Sequence, residues 1–321
     1  MRILITSDWH IKATHLGREC RLEDFYIFEK KWLELVDEVK PDLVVNLGDV
    51  FHTLSPYIRK DVLMVGSEIF QETAKRCRVV VLAGNHDMFR GEVAIKFLEN
   101  VNIRIIDQDY EGREGDIRMT FVPYGWESSL DRLHETDLLF LHTDVKGVKL
   151  SSGKVMEEGI EPFLNVGKFV FNGHIHRPQR VGNIECVGSV MQHDFSESGE
   201  RKRVILWEDG KVRDIFIEGL PSFHIVEVHS AKSLSRLLYP KFCYLLVRAK
   251  PGLDLSQLED NPRIFVEFLP EEKEVEKAEE VEDKPLSVVE EIERWIDELE
   301  LENELKIKMK KLALEVWECS R

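Results

Sequence analysis

Five short apolar runs in this chain end in the same way. "RILITSDWH" closes on Asp8 and His10, and "DLVVNLGDVFH" on Asp49 and His52. "CRVVVLAGNHD" closes on Asn85, His86 and Asp87, "DLLFLHTD" follows Leu141 with His142, and "KFVFNGHIH" ends on His174 and His176. Runs of this length and composition read as buried strands. An unpaired carboxylate at the end of such a strand loses its water and is costly to keep ionised. Taken singly, each terminus has an ordinary structural role: Asp8 could cap a helix, Asn85 could form an Asx-turn, and His142 could be a satisfied core histidine. Five in succession are a stronger constraint. In open α/β folds, sites gather at the carboxyl ends of strands, so these side chains are expected to converge.

The intervals between the runs fit such a fold. Residues 21–39 place Leu22, Phe25, Phe28, Trp32, Leu35 and Val39 at near-helical spacing, and Pro41 stops the pattern. Residues 57–76 form a second helix with two apolar lines, one at Ile58, Val62, Val65 and Ile69, the other at Leu63, Phe70 and Ala74. One line suffices to cover a sheet, so the other is left over unless the helix is deeply buried. Strand–helix–strand alternation with continuous apolar strands argues for a sheet covered on both faces. From about residue 103 the runs come closer together: "IRIID", "IRMTFVPY", "DLLFLHTD", "KFVFNGH", "NIECVGS", "RVILWED" and "KVRDIFIE". Together they predict a second, mixed sheet packed on the first, in a layered α/β body over residues 1–220. Residues 221–269 carry "FHIVEV", "CYLLVRA" and "RIFVEFL", with a helix-like "SAKSLSRLL" between the first two, and read as a small α+β domain. Residues 270–286 lack apolar periodicity and read as an acidic linker. Helical periodicity returns over 287–318, within a C-terminal tail of residues 287–321.

With 321 residues the chain is long enough for two domains and a sizeable core. No apolar run approaches a membrane span, and the N-terminus enters a strand without signal-peptide anatomy, so no membrane partner is expected. The five cysteines, Cys20, Cys77, Cys186, Cys243 and Cys319, are scattered and odd in number, which suits reduced thiols in a cytoplasm. Taken alone, the net charge of −16 argues against a nucleic-acid partner. However, residues 271–304 hold sixteen acids against four bases, so the rest of the chain carries only −4. A polyanionic substrate on the main body is therefore compatible with the composition.

The residue types at the strand ends point to metal chemistry. Carboxylates, an amide oxygen and imidazoles without a thiolate suit borderline-hard divalent ions such as Mn²⁺ or Fe²⁺ rather than a structural zinc. The donors are too many for one ion and about enough for two. A pair of ions roughly 3.5–4 Å apart can activate a water and stabilise the departing oxygen of an in-line displacement at phosphorus. Such a pair needs a bridging carboxylate, and Asp49, after the small Gly48, sits in the tightest context for it.

D-x-H, G-D-x-x-H, G-N-H-D, a lone His and G-H-x-H, in this order, resemble the calcineurin-like metallophosphoesterase superfamily over residues 1 to about 220. Within it, "GDVFHTLSP" is more similar to the DNA-repair nucleases of the SbcD type than to the protein phosphatases, which carry Asp-Arg-Gly where this chain has Phe-His-Thr. The resemblance implies a layered β-sandwich flanked by helices, with a capping domain that binds DNA and a helical tail. It implies two Mn²⁺ ions (Fe²⁺ or another divalent ion is an alternative), one held by Asp8, His10, Asp49 and His176, the other by Asp49, Asn85, His142 and His174. It gives His86 the role of general acid or transition-state stabiliser, His52 that of orienting the phosphate, and Asp87 that of positioning His86. His15, His134, His193, His224 and His229 lie outside the motifs and are expected to be surface or structural.

The expected function is a metal-dependent exonuclease or endonuclease acting on DNA ends or breaks beside an SbcC-like coiled-coil ATPase. A phosphodiesterase for small substrates such as cyclic nucleotides is the alternative, and a non-catalytic tether is a third reading. The extra domain and tail weigh against the second, and the full ligand set against the third. In the tail, Val289, Ile292, Ile296 and Leu299 share one helical face, and Leu305, Met309, Leu312 and Val316 another, out of phase across Asn303. An amphipathic helix pair on a charged tether is suited to docking on a partner's groove. Packing of the pair back on its own body is the alternative; the resemblance to SbcD-type nucleases implies an SbcC-like ATPase at residues 287–318 and a homodimer through the helix 57–76.

Overall fold

The computed structural model describes residues 1–52, 57–90, 92–230, 232, 242–269, 296 and 306–311. The chain divides into two compact units, Met1–Pro270 and Glu271–Arg321. The first unit is built on two six-stranded sheets. One contains β1 (Arg2–Thr6), β2 (Leu43–Asn46), β3 (Arg78–Leu82), β4 (Ile103–Ile106), β11 (Val204–Glu208) and β12 (Lys211–Ile215), in the order β12-β11-β1-β2-β3-β4. Its partner contains β5 (Tyr110–Glu114), β6 (Ile117–Val122), β7 (Thr136–Leu141), β8 (Gly167–Asn172), β9 (Gln179–Val181) and β10 (Ile184–Cys186), in the order β9-β10-β8-β7-β6-β5. The central strands β1 to β4 run parallel, as do β6, β7, β8 and β10, and antiparallel strands close three of the four edges.

Alternation along each strand sorts side chains between layers. Ile3, Ile5, Leu43 and Val45 point between the sheets, where they meet Phe121, Leu138, Phe140 and Phe171. Leu4, Val44, Val79 and Val81 point to the other face, which α1 (Leu22–Val39) and α2 (Lys60–Ala74) cover. In α1, Phe25, Phe28, Trp32, Leu35 and Val36 form the buried stripe. The helix ends where Lys40 turns left-handed at φ 50° and its N–H bonds Val36 O at 2.8 Å, one residue before Pro41. The outer face of the second sheet is covered by loops, through Trp126, Leu130, Leu133, Met156 and Leu164.

Two expectations change. "IRIID", "RVILWED" and "KVRDIFIE" join the first sheet as β4, β11 and β12, not the second. The chain returns to pair β11 antiparallel with β1, with Ile3 opposite Trp207, a pairing that strand propensity alone cannot reveal. In α2 no apolar line is left over: Phe70 and Ala74 are buried with Val62, Val65 and Ile69, and Ile58 and Leu63 pack partly against the same core. The exposed apolar side chains near this helix are Tyr57 and Met64.

A third sheet, all parallel, pairs β13 (Phe223–Val228), β14 (Tyr244–Ala249) and β15 (Ile264–Phe268). It lies in the first compact unit and is tied to α1 by a buried polar cluster. Asp24 takes Arg263 Nη1 at 2.5 Å, Tyr244 Oη at 2.9 Å and the Arg21 guanidinium at 2.8 Å. Nearby, His15 is enclosed edge-on by Phe195, Phe223, Tyr244 and Phe265, with ring centroids 5.0–5.7 Å away. Most of the helix-like "SAKSLSRLL" and of the linker 270–286 and tail 287–321 lies outside the described residues, as do Thr53–Pro56; Ile296 and residues 306–311 are helical. No helix among the described residues is long and apolar enough to cross a membrane. Cys20, Cys77, Cys186 and Cys243 are free thiols.

The aromatic cage makes stability depend on pH. Burial, and then the charges of Lys12 and Arg21, lower His15 to about 4. In the unfolded chain the ring takes a proton below about 6.5, whereas the folded chain stays neutral until about 4. This contribution is complete above pH 6.5 and is lost as pH falls from there towards 4, by an amount on the order of 2 kcal/mol. Replacing the ring in His15→Phe should flatten the dependence of the melting midpoint on pH within that window. A slope identical to wild type would show that the cage does not hold His15 neutral.

Candidate metal centre

The backbone assembles the site first. Asp8 N–H donates to Gly48 O at 3.0 Å, His10 N–H to Asp49 O at 2.9 Å and Ile11 N–H to Val50 O at 2.9 Å, so the loops after β1 and β2 run side by side. Asp8, His10, Asp49 and His174 all have positive φ, between 45° and 69°. Outside glycine this conformation costs about 1–3 kcal/mol and persists where the surroundings over-determine it. For Asp8 and His10 the surroundings are those of Trp9. Its fully buried indole stacks on Phe70 at 4.6 Å, meets Phe28 and Trp32 edge-on, and donates to Thr6 Oγ1 at 2.8 Å. The loops after β2 and β3 touch at two glycines. A Cβ on Gly48 would stand 2.7 Å from Gly84 N, and one on Gly84 would stand 2.6 Å from Asp49 N and collide with the Asp49 carboxylate.

Nine of the ten expected residues converge as side chains on one small volume, around two groups of ligand atoms. Ligand atoms of Asp8, His10 and His176 lie within 4.8 Å of one another, and so do those of Asp49, His142 and His174. Asp49 faces both groups: Oδ2 is 3.5 Å from His10 Nε2, and Oδ1 is 3.5 Å from His142 Nε2. Asn85 Oδ1 adds to the second group, 2.9 Å from His174 Nδ1 and 3.1 Å from His142 Nε2. His52 is the eighth, its Nδ1 3.3 Å from His10 Nδ1. It stacks on His86 with ring centroids 5.4 Å apart, and both imidazoles have a nitrogen within 4.8 Å of one on His10. Asp87 takes a different part from the one expected. Its carboxylate accepts N–H groups from Asp49 at 2.7 Å, Val50 at 3.0 Å and Gly84 at 3.0 Å, so it fastens the loops together. His86 Nδ1 is buried with no hydrogen-bond partner.

Acceptors behind the ring of imidazoles fix their orientation. His142 Nδ1 lies 2.6 Å from Leu47 O, His174 Nε2 lies 3.0 Å from Asp144 Oδ1, and His176 Nδ1 lies 2.8 Å from Glu197 Oε1. Each leaves the other nitrogen facing the group, the arrangement by which metal-bound histidines are usually held. Glu197 is also paired with Lys202 at 2.9 Å. Burial works to raise the Glu197 carboxyl, but His176, His193 and Lys202 hold it well below the usual range. Burial likewise opposes ionisation of Asp49, yet the charge and hydrogen bond of His142, and then His86, hold it down. Asp87 moves up, through burial and then the charge of Asp49. Burial lowers His86 below its ordinary value.

The donor set fits divalent ions on one observation above the others. Asp8 is fully buried, and neither of its carboxylate oxygens has a hydrogen-bond partner among the described residues. A carboxylate isolated in this way is costly unless a cation meets it.

Glu197, Asp144 and His193 were not among the candidates. Glu197 ends a short 3-10 helix and Asp144 lies in a loop, and their role comes from proximity to a ring 21 or 30 residues away in sequence. His193 closes "VGSVMQHD", an apolar run ending in His-Asp, and that ending is the signal by which it could have been found. It is buried, with Nε2 2.9 Å from Asp8 O. Of the other histidines, His15 is buried and His134, His224 and His229 are exposed.

A sequence profile of the family described as calcineurin-like phosphoesterase matches residues 1–242. Among solved structures, the chain is similar to the phosphoesterase Yfce from E. coli at 17% identity, covering 68% of this chain and 95% of that one, with a TM-score of 0.39. It is also similar to an archaeal phosphodiesterase at 13% identity, covering 67% and 99%, TM-score 0.36. The nuclease MPE from Pseudomonas putida matches at 16% identity, covering 66% and 87%, TM-score 0.32.

Two substitutions test the construction of the site. In Gly84→Ala the new methyl group displaces Asp49, and Mn²⁺ binding measured by calorimetry should be lost while the circular dichroism spectrum stays native. Glu197→Gln leaves the ligands in place but weakens the hold on His176, so Mn²⁺ affinity should fall about 10–100-fold. Affinities equal to wild type in both proteins would show that neither contact shapes the centre.

Proposed function

The chain belongs to the calcineurin-like phosphoesterase family, and from that premise we propose that it hydrolyses the phosphodiester bonds of DNA with a pair of divalent ions, Mn²⁺ in preference, at the strand ends. One ion would be held by Asp8, His10, Asp49 and His176, the other by Asp49, Asn85, His142 and His174. The observation that carries this reading is the placement of Asp49, whose two oxygens each lie 3.5 Å from an imidazole of a different group. Two divalent ions bound there would neutralise the attacking and departing oxygens of a displacement at phosphorus. The chain's own residues do the rest. Leu47 O, Asp144 and Glu197 keep three imidazoles in the tautomers that face the groups, and Asp87 locks the loops that carry Asp49 and Asn85. His86, neutral and unshared at Nδ1, acts on the leaving oxygen, with His52 stacked beside it to orient the phosphate.

DNA is preferred to a small phosphodiester because "GDVFH" resembles the SbcD-type repair nucleases and because a third sheet is tied to the body beside the site. Linear duplex DNA, bis(p-nitrophenyl) phosphate and a cyclic nucleotide, each with and without Mn²⁺, separate the readings. Hydrolysis of the cyclic nucleotide but not of DNA would select the small-substrate reading, and activity retained in chelator-treated protein would end the metal-dependent one. Mg²⁺ should serve poorly, since it favours oxygen ligands and retained waters over imidazole.

Chemistry separates from binding at His86. His86→Gln should keep its Mn²⁺ and lose about 10²–10⁴-fold in turnover, whereas His174→Ala should lose an ion as well. Loss of metal from His86→Gln would make that residue a ligand instead.

The partners are proposed on a narrower basis. An SbcC-like coiled-coil ATPase is assigned to residues 287–318, most of which lie outside the described residues. Truncation after Pro270, at the boundary of the two compact units, should preserve Mn²⁺-dependent hydrolysis of small substrates and abolish co-purification with the ATPase. A homodimer through α2 would use the exposed Tyr57 and Met64 rather than Phe70. Met64→Glu should then sediment as a monomer, and a wild type already monomeric at micromolar concentration would remove the dimer.

A further inference from the structure

Arg21 and His193 belong to none of the strand-end motifs, yet both are buried and they touch. Arg21 Nη1 is ion-paired with Asp24 Oδ2 at 2.8 Å. On its other side, Nη2 lies 3.1 Å from Gln192 O and 3.4 Å from His193 Nδ1. His193 Nε2, across the ring, lies 2.9 Å from Asp8 O. The same ring stands edge-on to His10 and His176, with centroids 5.2 and 5.5 Å away. It therefore touches all three residues of the Asp8, His10 and His176 group.

The protonation state of this ring follows from its neighbours. A guanidinium has donors and no acceptor, and a carbonyl oxygen only accepts. Between the two, one arrangement satisfies both: Nδ1 is bare and accepts from Arg21, and Nε2 carries the hydrogen and donates to Asp8 O. The tautomer of an imidazole is set by the bond its other nitrogen makes, so the cation on the far side selects the donor on the near side. Asp8 needs that donor. Its backbone is left-handed at φ 51°, and its buried carboxylate has no hydrogen bond among the described residues.

We propose that Arg21 is a positioning residue of the metal centre, which fixes the His193 tautomer and thereby holds the Asp8 backbone in the turn that presents its carboxylate. Arg21 is itself held by Asp24, the carboxylate that also receives Arg263 and Tyr244 of the third sheet. Seating of that sheet on α1 and the geometry of the first ligand group are thus joined by four consecutive contacts: Arg263 to Asp24, Asp24 to Arg21, Arg21 to His193, and His193 to Asp8. The proposal rests on reading the strand-end residues as a metal centre.

The tautomer can be observed without metal or substrate. Side-chain ¹⁵N spectra of the full-length, metal-free protein at neutral pH should show His193 protonated at Nε2 and bare at Nδ1. The opposite tautomer, or a ring protonated at both nitrogens, would overturn the proposal. Arg21→Met removes the donors while retaining bulk. It should mix the two tautomers and weaken the first Mn²⁺ ion about 10–100-fold in calorimetric titration, the range usual for groups behind a metal ligand. A folded Arg21→Met protein with an unchanged tautomer and Mn²⁺ affinity within about twofold of wild type would overturn it as well. Should this variant not fold, the wild-type spectrum decides alone. The two readings fail separately: a wild type that binds no Mn²⁺ ends the metal-centre reading, while the wrong tautomer in the metal-free protein ends only the role of Arg21.

Discussion

A carboxylate sealed from solvent with nothing bonded to either oxygen is the constraint to which this fold answers. Removing an ion from water costs several kcal/mol even after the surroundings relax, and Asp8 is held fully buried in that condition. Among the described residues no lysine or arginine is paired with it. The structure holds the backbone on both sides of Trp9 in left-handed turns, with the buried rings of Phe28, Trp32 and Phe70 packed on that indole. Next to Asp8 it brings a second carboxylate, an amide and several imidazoles from four other strand ends. Each element pays a local penalty that the core offsets, and the sum makes sense as a receptor for positive charge.

The same logic separates the two kinds of acidity in the chain. Residues 271–304 carry most of the net negative charge. The acids of the centre are few, buried and individually placed. Glu197 and Asp24 are each paired with basic groups: Glu197 with Lys202 and the His176 ring, Asp24 with Arg21 and Arg263. Bulk charge is therefore a poor guide to what the strand ends bind, because the local field there is set by a handful of paired groups.

Much of this was legible in the residues. Asp8, His10, Asp49, Asn85, His142, His174 and His176 could be named because each follows an apolar run, and parallel strands deliver their ends to one edge. Helix α1 was legible to within a residue because its apolar spacing ends at Lys40-Pro41. What the sequence hid depends on pairing across space. Nothing in "RVILWED" says that it lies against β1, and β5, at an exposed edge, has little apolar alternation to mark it. Asp87 was assigned to its sequence neighbour His86, but a buried carboxylate beside three unsatisfied backbone N–H groups bonds those first. Phe70 reads as surplus on a helical wheel, which cannot show that Trp9 protrudes from a loop to meet it.

The pairing of β1 with β11 bears on how the molecule comes into being. Ile3 lies opposite Trp207, so some two hundred residues must leave the ribosome before the first strand has both neighbours. Until then the strand that carries Asp8 and His10 is an open edge, with a row of free backbone groups available to any passing strand. Contacts this distant in sequence also close slowly. The centre draws on His142, His174 and His176 as well as on the first loops, so it is complete only when most of the body has been made.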